Sequence, residues 1–489
     1  MARWLSKVGK VGAWLDARLQ VWGVIRDTMA HAVPRDTASW FYVFGSATFV
    51  IMVLQFVTGI LLALVYVPSA ADAWQSLQVL NHQIAFGWFL RAVHGWGSNF
   101  MVALLLIHMA QVFLFGAFKY PRELTWMVGV GLLLLTLGMA FTGQIMRFDA
   151  DAYWGLGIGA SVSARVPFVG SWLVGLLLGG PIIAGQTLSR FFTFHVFVVP
   201  GLLIGAALVH VLLVVKVGIN DWPMPGRLVN RKTYLARYKR LLHEDGVPFV
   251  PDAFQRDLVF SALIILAVLV CAAVFGPFGP SGRPDPRMID IAPKPDVFFL
   301  WLYAALALLP AELETALILI VPVVAIAALL LLPFISGTGE KSWKRRPFAV
   351  LVVVLLASGF IALTWLGLQP PWSPSMTAWS GTPLPPRLLK ERTPLELQGA
   401  LVFQNKQCRN CHALGGTGGD RGPPLDNVAV HLTRDQLIRQ VLQGSGEMPA
   451  YGDHLHPAEV AALVSYLETL HPPHQPAARV SAASSGSSP

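Results

Sequence analysis

Hydrophobic positions in this chain run in long blocks separated by short polar stretches. Apolar stretches near 40–66, 88–115, 126–146, 189–215, 257–276, 312–334 and 347–367 are each long enough to cross a hydrocarbon core of ~30 Å, which takes about 20 helical residues. They predict seven transmembrane helices. Ahead of them, Trp4, Leu5, Val8, Val11, Leu15 and Leu19 recur at helical spacing with Lys7, Lys10 and Arg18 between them. Lacking a continuous apolar run, 1–39 reads as an N-terminal interfacial helix and not as a cleaved signal. The blocks group into a four-span part (40–216), a polar loop (217–256) and a three-span part (257–367). A Pro-rich linker follows over 368–394, stiff and extended by composition. Residues 395–475 are mixed and polar, as a small soluble domain should be, and the Ala- and Ser-rich tail 476–489 is expected to be disordered. The fold class predicted is all-α: a seven-span helical bundle with a small C-terminal helical domain.

Composition agrees with the pattern. Hydrophobic residues make up 54% of the 489, charged residues 13%, and mean hydropathy is +0.57. That is too little charge to cover the several soluble domains a chain of this length would otherwise form. The net charge of +9 is explained by loop bias. Counted in alternate loops, one side holds twenty Lys and Arg (in 1–39, 116–125, 216–256 and 335–347) and the other six (in 67–90, 147–190 and 277–297). Positive loops stay inside, so the N-terminus is cytoplasmic and seven spans carry the C-terminus outside. No nucleic-acid partner is needed to account for the charge; the partner it implies is the lipid membrane.

Within the second and fourth blocks lie four histidines, His94 and His108, His195 and His210. At about 100° per residue, a spacing of fourteen falls ~40° short of four turns and rises ~21 Å; fifteen overshoots by ~60° and rises ~22 Å. Each pair therefore lies on one helix face at two depths. With both spans running the same way, His94 can face His195 near the outer side and His108 can face His210 near the inner side. That arrangement suits two stacked, non-covalent bis-histidine haems. A lone intramembrane histidine is commonly a helix-packing hydrogen-bonder; four at matched spacing argue for ligation. Pro200 lies between His195 and His210, where a kink can absorb the extra residue. Gly45 and Gly59 in the first span, and Gly129 and Gly143 in the third, repeat the fourteen-residue interval and would let a flat macrocycle approach the backbone at both depths.

These motifs carry a family resemblance. Arg91-Ala-Val-His94 with His108, Pro121-Arg-Glu-Leu-Thr-Trp126, and Arg190-Phe-Phe-Thr-Phe-His195 resemble cytochrome b of the Rieske/cytochrome b complexes over about 31–367. The fifteen-residue spacing is similar to the photosynthetic, split type, with both split pieces here joined in one chain. The resemblance implies that Arg91 and Arg190 pair with propionates of the outer haem. At the position where the photosynthetic type attaches an extra haem by cysteine, this chain has Val43, so no covalent third haem is expected. Asp296, in Pro295-Asp296-Val297-Phe298, stands where the family usually has Pro-Glu-Trp-Tyr at the outer quinol-oxidation pocket, and it is the candidate proton acceptor, one methylene shorter. A helix-capping Asp in a proline turn is the plainer alternative. Tyr303 matches a family tyrosine beside the quinone. Gln144 replaces the usual tyrosine after Gly143 and cannot donate a phenolic proton. Segment 151–188 is too short and broken to span, and is similar to the family's outer-surface helices that receive the Rieske protein.

In the C-terminal domain, Gln407-Cys408-Arg-Asn-Cys411-His412 is a CxxCH arrangement, in which two thiols form thioethers to haem vinyls and the adjacent imidazole ligates iron. Only one other cysteine, Cys271, occurs, so neither a disulfide framework nor a structural zinc site is indicated. Gly446-Glu447-Met448-Pro449 offers a thioether 36 residues after His412, with His431, His454 and His456 as weaker competitors. The domain resembles class I cytochrome c, with Met448 as sixth ligand to one covalent His/Met haem c.

The function expected is that of a cytochrome b/c fusion subunit of a quinol:cytochrome c oxidoreductase, active only within a complex. Its place would be the bacterial inner (cytoplasmic) membrane, with the cytochrome c domain on the periplasmic side. Quinol would be oxidised at the outer side, with electrons passing through two b haems to an inner quinone site and, through a Rieske iron–sulfur partner, to the fused haem c. Further small membrane or cytochrome subunits, a downstream cytochrome c or oxidase, and a homodimer are implied by the resemblance. The chain has no Cys/His set for a Rieske cluster of its own. Two other readings stand beside this one. A quinone-linked anchor of another redox enzyme would co-purify with a different catalytic subunit, and a passive electron conduit would show no quinol-dependent haem reduction. No Gly-rich dinucleotide turn follows a strand, so dehydrogenase activity within the chain is not indicated.

Overall fold

The computed structural model describes Trp14, Ala17, Arg18 and residues 31–180, 183–284, 294–309, 311–369, 383–419, 422–444, 448, 450–452 and 455–474. Most of the expected interfacial helix, linker and tail, together with Pro293, Gly446, Glu447, Pro449 and His454, lies outside the described residues. Among the described residues the chain is mostly helical with only a few short strands, and seven helices are long and apolar enough to span a membrane. They are Phe44–Ala63, Gly87–Leu114, Glu123–Met146, Gly185–Val217, Phe249–Phe275, Leu313–Ile335 and Pro347–Leu368, in register with the seven apolar blocks. The protein is an integral membrane protein of the all-α class.

The chain divides into two compact units, one made of residues 1–283, 295–298 and 319–362, the other of 284–294, 299–318 and 363–489. In the first unit the elements are α1 (Phe44–Ala63), α2 (Ala73–His82), α3 (Gly87–Leu114), α4 (Glu123–Met146), α5 (Ala150–Ala164), α6 (Gly170–Leu178), α7 (Gly185–Thr193), α8 (Val199–Val217), α9 (Tyr234–Asp245) and α10 (Phe254–Phe275). A shared core joins α1, α3, α8 and α10 through Ala47, Ile51, Ala92, Met101, Leu203, Ala207, Val268 and Ala272. The alanines sit at the crossings, where small side chains let membrane helices approach closely. Helices α5 and α6 do not span; with the start of the fourth span, α7, they close a core of Leu156, Ala160, Leu178 and Phe191 against Ile145 of α4. The stretch read as a polar loop over 217–256 holds α9 and a short strand, β2 (Gly246–Pro248), antiparallel to β1 (Ala32–Pro34) with Val33 opposite Val247.

Between α7 and α8 the helix does not simply kink. Phe194–Val198 forms a π-helical turn in which the N–H of Val199 bonds to the carbonyl of Phe194, five residues back. A π-turn accommodates one extra residue in an otherwise α-helical path. It therefore absorbs the fifteenth residue between His195 and His210, with Pro200 following at the start of α8.

The loops opposite α5 to α7 are locked by buried charge. Lys341, fully buried, donates to Asp221 Oδ1 at 2.5 Å and to the Asp221 carbonyl at 3.0 Å. Asp221 also accepts from Tyr234 Oη at 2.9 Å, and Tyr234 accepts from Arg122 at 2.7 Å. Burial of ions is tolerated here because each is paired and hydrogen-bonded. Burial pulls the Lys341 ammonium down to about 8. Its charge beside Asp221 holds that carboxyl below its usual range against the opposing effect of burial.

The second unit contains α11 (Leu300–Leu308), where Lys294 donates to the carbonyls of Leu368 and Gln369 at 2.9 Å each. Two further long helices, α12 (Ala311–Ile335) and α13 (Pro347–Leu368), run through both units. The C-terminal domain is built from α14 (Pro394–Asn405), a turn of helix α15 (Val428–His431), α16 (Arg434–Gln443) and α17 (Pro457–Glu468) around Phe403, Leu414, Leu437, Leu463 and Tyr466. Thr393 with Glu396, and Thr433 with Gln436, form capping boxes that start α14 and α16. Gly399 permits the α14/α17 crossing, since a Cβ there would fall 2.0 Å from the Ala462 carbonyl oxygen.

Candidate functional site

The four intramembrane histidines come together in two pairs, each flanked by two glycines. The imidazoles of His94 (α3) and His195 (α7–α8) stand with ring centroids 6.4 Å apart and planes at 83°. A Cβ on Gly59 would lie 3.2 Å from His94 Cε1, and one on Gly143 would lie 2.8 Å from His195 Cε1. At the other level, Gly45 faces His108 (3.1 Å) and Gly129 faces His210 (3.4 Å). The chain order of these contacts makes α1 antiparallel to α3, and α4 antiparallel to α8, so the two histidine helices run the same way. The glycines, read from sequence as room for a macrocycle, stand against the imidazole edges and give each ring its place.

Two residues that sequence reasoning passed over complete the first pair. Thr58 Oγ1 lies 2.8 Å from His94 Nδ1, and Thr142 Oγ1 lies 3.0 Å from His195 Nδ1. The signal was present: the dipeptide Thr-Gly occurs at 58–59 and at 142–143. With Nδ1 engaged on both rings, Nε2 is the nitrogen left for a metal. Two imidazoles on one ion, at about 2.0–2.1 Å per bond and about 1.1–1.2 Å from nitrogen to ring centre, place their centroids about 6.2–6.6 Å apart. The observed 6.4 Å fits an iron between them.

Above this pair sits a charged cluster. Arg147 donates to Asp296 Oδ1 at 2.8 Å and stands 3.4 Å from Asp149 Oδ2. The Asp296 backbone N–H donates to Gln144 Oε1 at 3.2 Å, so the residue that replaces a family tyrosine serves as a clamp on the candidate proton acceptor. Burial pushes the Asp296 carboxyl above its ordinary value, and Arg147 opposes that rise. Arg91 is buried and donates to Asn81 Oδ1 at 2.9 Å and to the Gly279 carbonyl. Arg190 is exposed and donates to the Leu176 carbonyl at 2.9 Å. Tyr303 lies on α11 in the second unit.

In the C-terminal domain His412 Nδ1 donates to the Pro423 carbonyl at 2.8 Å, again leaving Nε2 to ligate. Gly422 makes room for the ring, since a Cβ there would fall on the His412 edge. Cys408 is partly buried and Cys411 exposed; burial pushes the Cys408 thiol up to about 12. Met448 Sδ accepts from Gln440 Nε2 at 3.4 Å. Of the competitors, His431 ends α15 and His456 caps α17.

Three family models match in succession: Cytochrome b/b6/petB over 29–218, Cytochrome b(C-terminal)/b6/petD over 287–381, and Cytochrome C oxidase, cbb3-type, subunit III over 395–467. The menaquinol:cytochrome c reductase cytochrome b subunit of Bacillus subtilis is 36% identical over 220 residues, 44% of this chain and 98% of that protein. The chain belongs to the cytochrome b family. Cytochrome b6 of Synechococcus sp. strain RCC307 is 38% identical over 207 residues, 42% of this chain and 94% of the relative. A solved chain described as hyperthermophilic respiratory Complex III superposes with a TM-score of 0.62 at 27% identity, covering 74% of this chain and 92% of that one. As a cytochrome b joined to a cytochrome c domain, the protein is an oxidoreductase subunit of respiratory electron transport whose cofactors are haem b and haem c.

Proposed function

We propose that this chain is the cytochrome b/c fusion subunit of a quinol:cytochrome c oxidoreductase. His94 with His195, and His108 with His210, would each hold one haem b; Cys408, Cys411, His412 and Met448 would hold one haem c. The observation that carries the reading is the His94/His195 pair at 6.4 Å, with Gly59 and Gly143 behind its rings. When bound, these groups supply single-electron transfer across the bilayer. Quinol oxidation releases two protons at the outer side. Asp296 would accept one at its carboxylate, with Gln144 fixing its backbone and Arg147 its charge. Arg91 and Arg190 would neutralise propionates, and Tyr303 would line the quinol site.

The chain would lie in the bacterial inner membrane with its N-terminus cytoplasmic, from the loop charge bias. It would act with a Rieske protein, further membrane or cytochrome subunits and a downstream cytochrome c or oxidase, as a homodimer, taking electrons to an inner quinone site and to the fused haem c. The domain boundaries are those read from the sequence. Pyridine haemochrome spectra of the purified chain test the assignment: two b to one c is expected, with His108→Leu lowering it to one to one while sparing haem c. Any other ratio would refute it.

A further inference from the structure

Each threonine beside the first histidine pair has a second bond. Thr58 Oγ1 lies 2.7 Å from the Leu54 carbonyl oxygen and Thr142 Oγ1 lies 2.8 Å from that of Gly138, both four residues back on the same helix. A hydroxyl has one proton and a carbonyl only accepts, so each threonine donates to its carbonyl and turns its oxygen to the imidazole as acceptor. The imidazole must then carry its proton on Nδ1. The opposite direction would place the ring proton on Nε2, the nitrogen that has to be bare to bind iron. The result is a polarised chain from Nδ1–H through the hydroxyl to the helix carbonyl, built twice on opposite sides of one site.

The second pair lacks this device. The residues before Gly45 and Gly129 are Phe44 and Val128, and among the described residues no side-chain hydroxyl stands against Nδ1 of His108 or His210. Nδ1 of His108 and Nδ1 of His210 are both buried without a hydrogen-bond partner among them. A hydrogen bond from Nδ1–H raises the basicity of the ligating nitrogen. A more basic axial ligand favours ferric over ferrous iron.

We propose that Thr58 and Thr142 are positioning residues that fix the Nδ1–H tautomer of His94 and His195 and lower the reduction potential of the haem between them relative to the other b haem. The inference rests on the reading that these histidines ligate haem. Its test is potentiometric titration of the b-haem absorbance in the purified complex, with haem content measured on the same samples. The haem in question is the one missing from His94→Leu. Its midpoint should rise in Thr58→Val and in Thr142→Val, rise further in the double variant, and return in Thr58→Ser and Thr142→Ser, while the other b haem stays in place. An unmoved midpoint with both haems present, or a rise that persists in the serine variants, would overturn the proposal. Should valine expel the haem, its retention at the wild-type midpoint in the serine variants supports the hydroxyl's role. Loss from the serine variants too would assign these positions to shape and overturn it. If His94→Leu keeps both b haems, ligation itself is wrong, an outcome separate from a threonine effect that fails to appear.

Discussion

Alanine at the four glycines should damage the two proposed haem sites unequally, in an order set by the space behind each imidazole. A Cβ would meet the histidine Cε1 at 2.8 Å from Gly143, 3.1 Å from Gly45, 3.2 Å from Gly59 and 3.4 Å from Gly129. Carbon atoms settle at about 3.5–4.0 Å, so Gly143→Ala forces His195 or the helix to yield by about 0.7 Å, whereas Gly129→Ala asks for almost nothing. His195 has little freedom to yield: Thr142 holds its Nδ1 and a bound iron would hold its Nε2. Overpacking of this kind costs about 1–3 kcal/mol, which at about 1.4 kcal/mol per factor of ten is roughly 5–150-fold in haem retention.

The assay is the b-to-c haem ratio of the purified protein, with the covalent haem c as internal standard, followed by the rate of b-haem loss on dilution into detergent. Gly143→Ala should lose the haem of the His94/His195 site fastest, Gly59→Ala and Gly45→Ala should be intermediate at their respective sites, and Gly129→Ala should match wild type. Equal retention in all four, or a greater loss in Gly129→Ala than in Gly143→Ala, would refute the view that these glycines make room for the imidazoles.

Three further outcomes are expected. Because burial holds the Asp296 carboxyl above its ordinary value, quinol oxidation should fall as pH drops through that raised value. Asp296→Asn should flatten this acidic limb and slow the reaction, and Arg147→Gln, which removes the opposing charge, should move the limb to higher pH; an unchanged pH–rate profile would assign Asp296 to the turn alone. Asp221→Asn should lower stability by about 3–5 kcal/mol in thermal melts, because it strands the buried Lys341 ammonium. The wild-type contribution of Asp221, whose folded pKa is depressed, is present above its unfolded value and lost as pH falls through the depressed one. Met448→Ala should keep the covalent haem yet abolish the near-infrared charge-transfer band of a sulfur ligand in the oxidised protein, and survival of that band would send the search to another side chain.

What the sequence could tell divides along a physical line between properties of one segment and properties of two. The seven spans and the non-spanning segment follow from lengths of apolar chain, and the family follows from motifs read within single stretches. The pairing of helix faces is another matter: periodicity places His94 and His108 on one face of α3 but says nothing of which residues of α1 they meet. That Gly59 faces the imidazole edge of His94, with Thr58 on its Nδ1, depends on the antiparallel offset of two helices. The Asp221–Lys341 pair joins loops 120 residues apart in sequence, and the Arg147–Asp296 pair joins positions 149 apart. Asp221, Lys341 and Arg147, each taken in its own stretch, look like ordinary solvated loop residues. Charge bias could therefore orient the loops without revealing that Lys341 is buried to hold the two halves of the membrane part together. The π-turn is intermediate: fifteen residues where fourteen keep the register demanded an accommodation, and Pro200 marked its neighbourhood. Its form, an extra residue taken up around His195 itself, depends on both histidines having to reach partners fixed on another helix. A π-turn at His195 is thus a consequence of two histidines meeting partners at two levels, and the asymmetry between Thr-Gly and Phe-Gly or Val-Gly at those levels is how nearly repeated geometry can give the two pairs different surroundings.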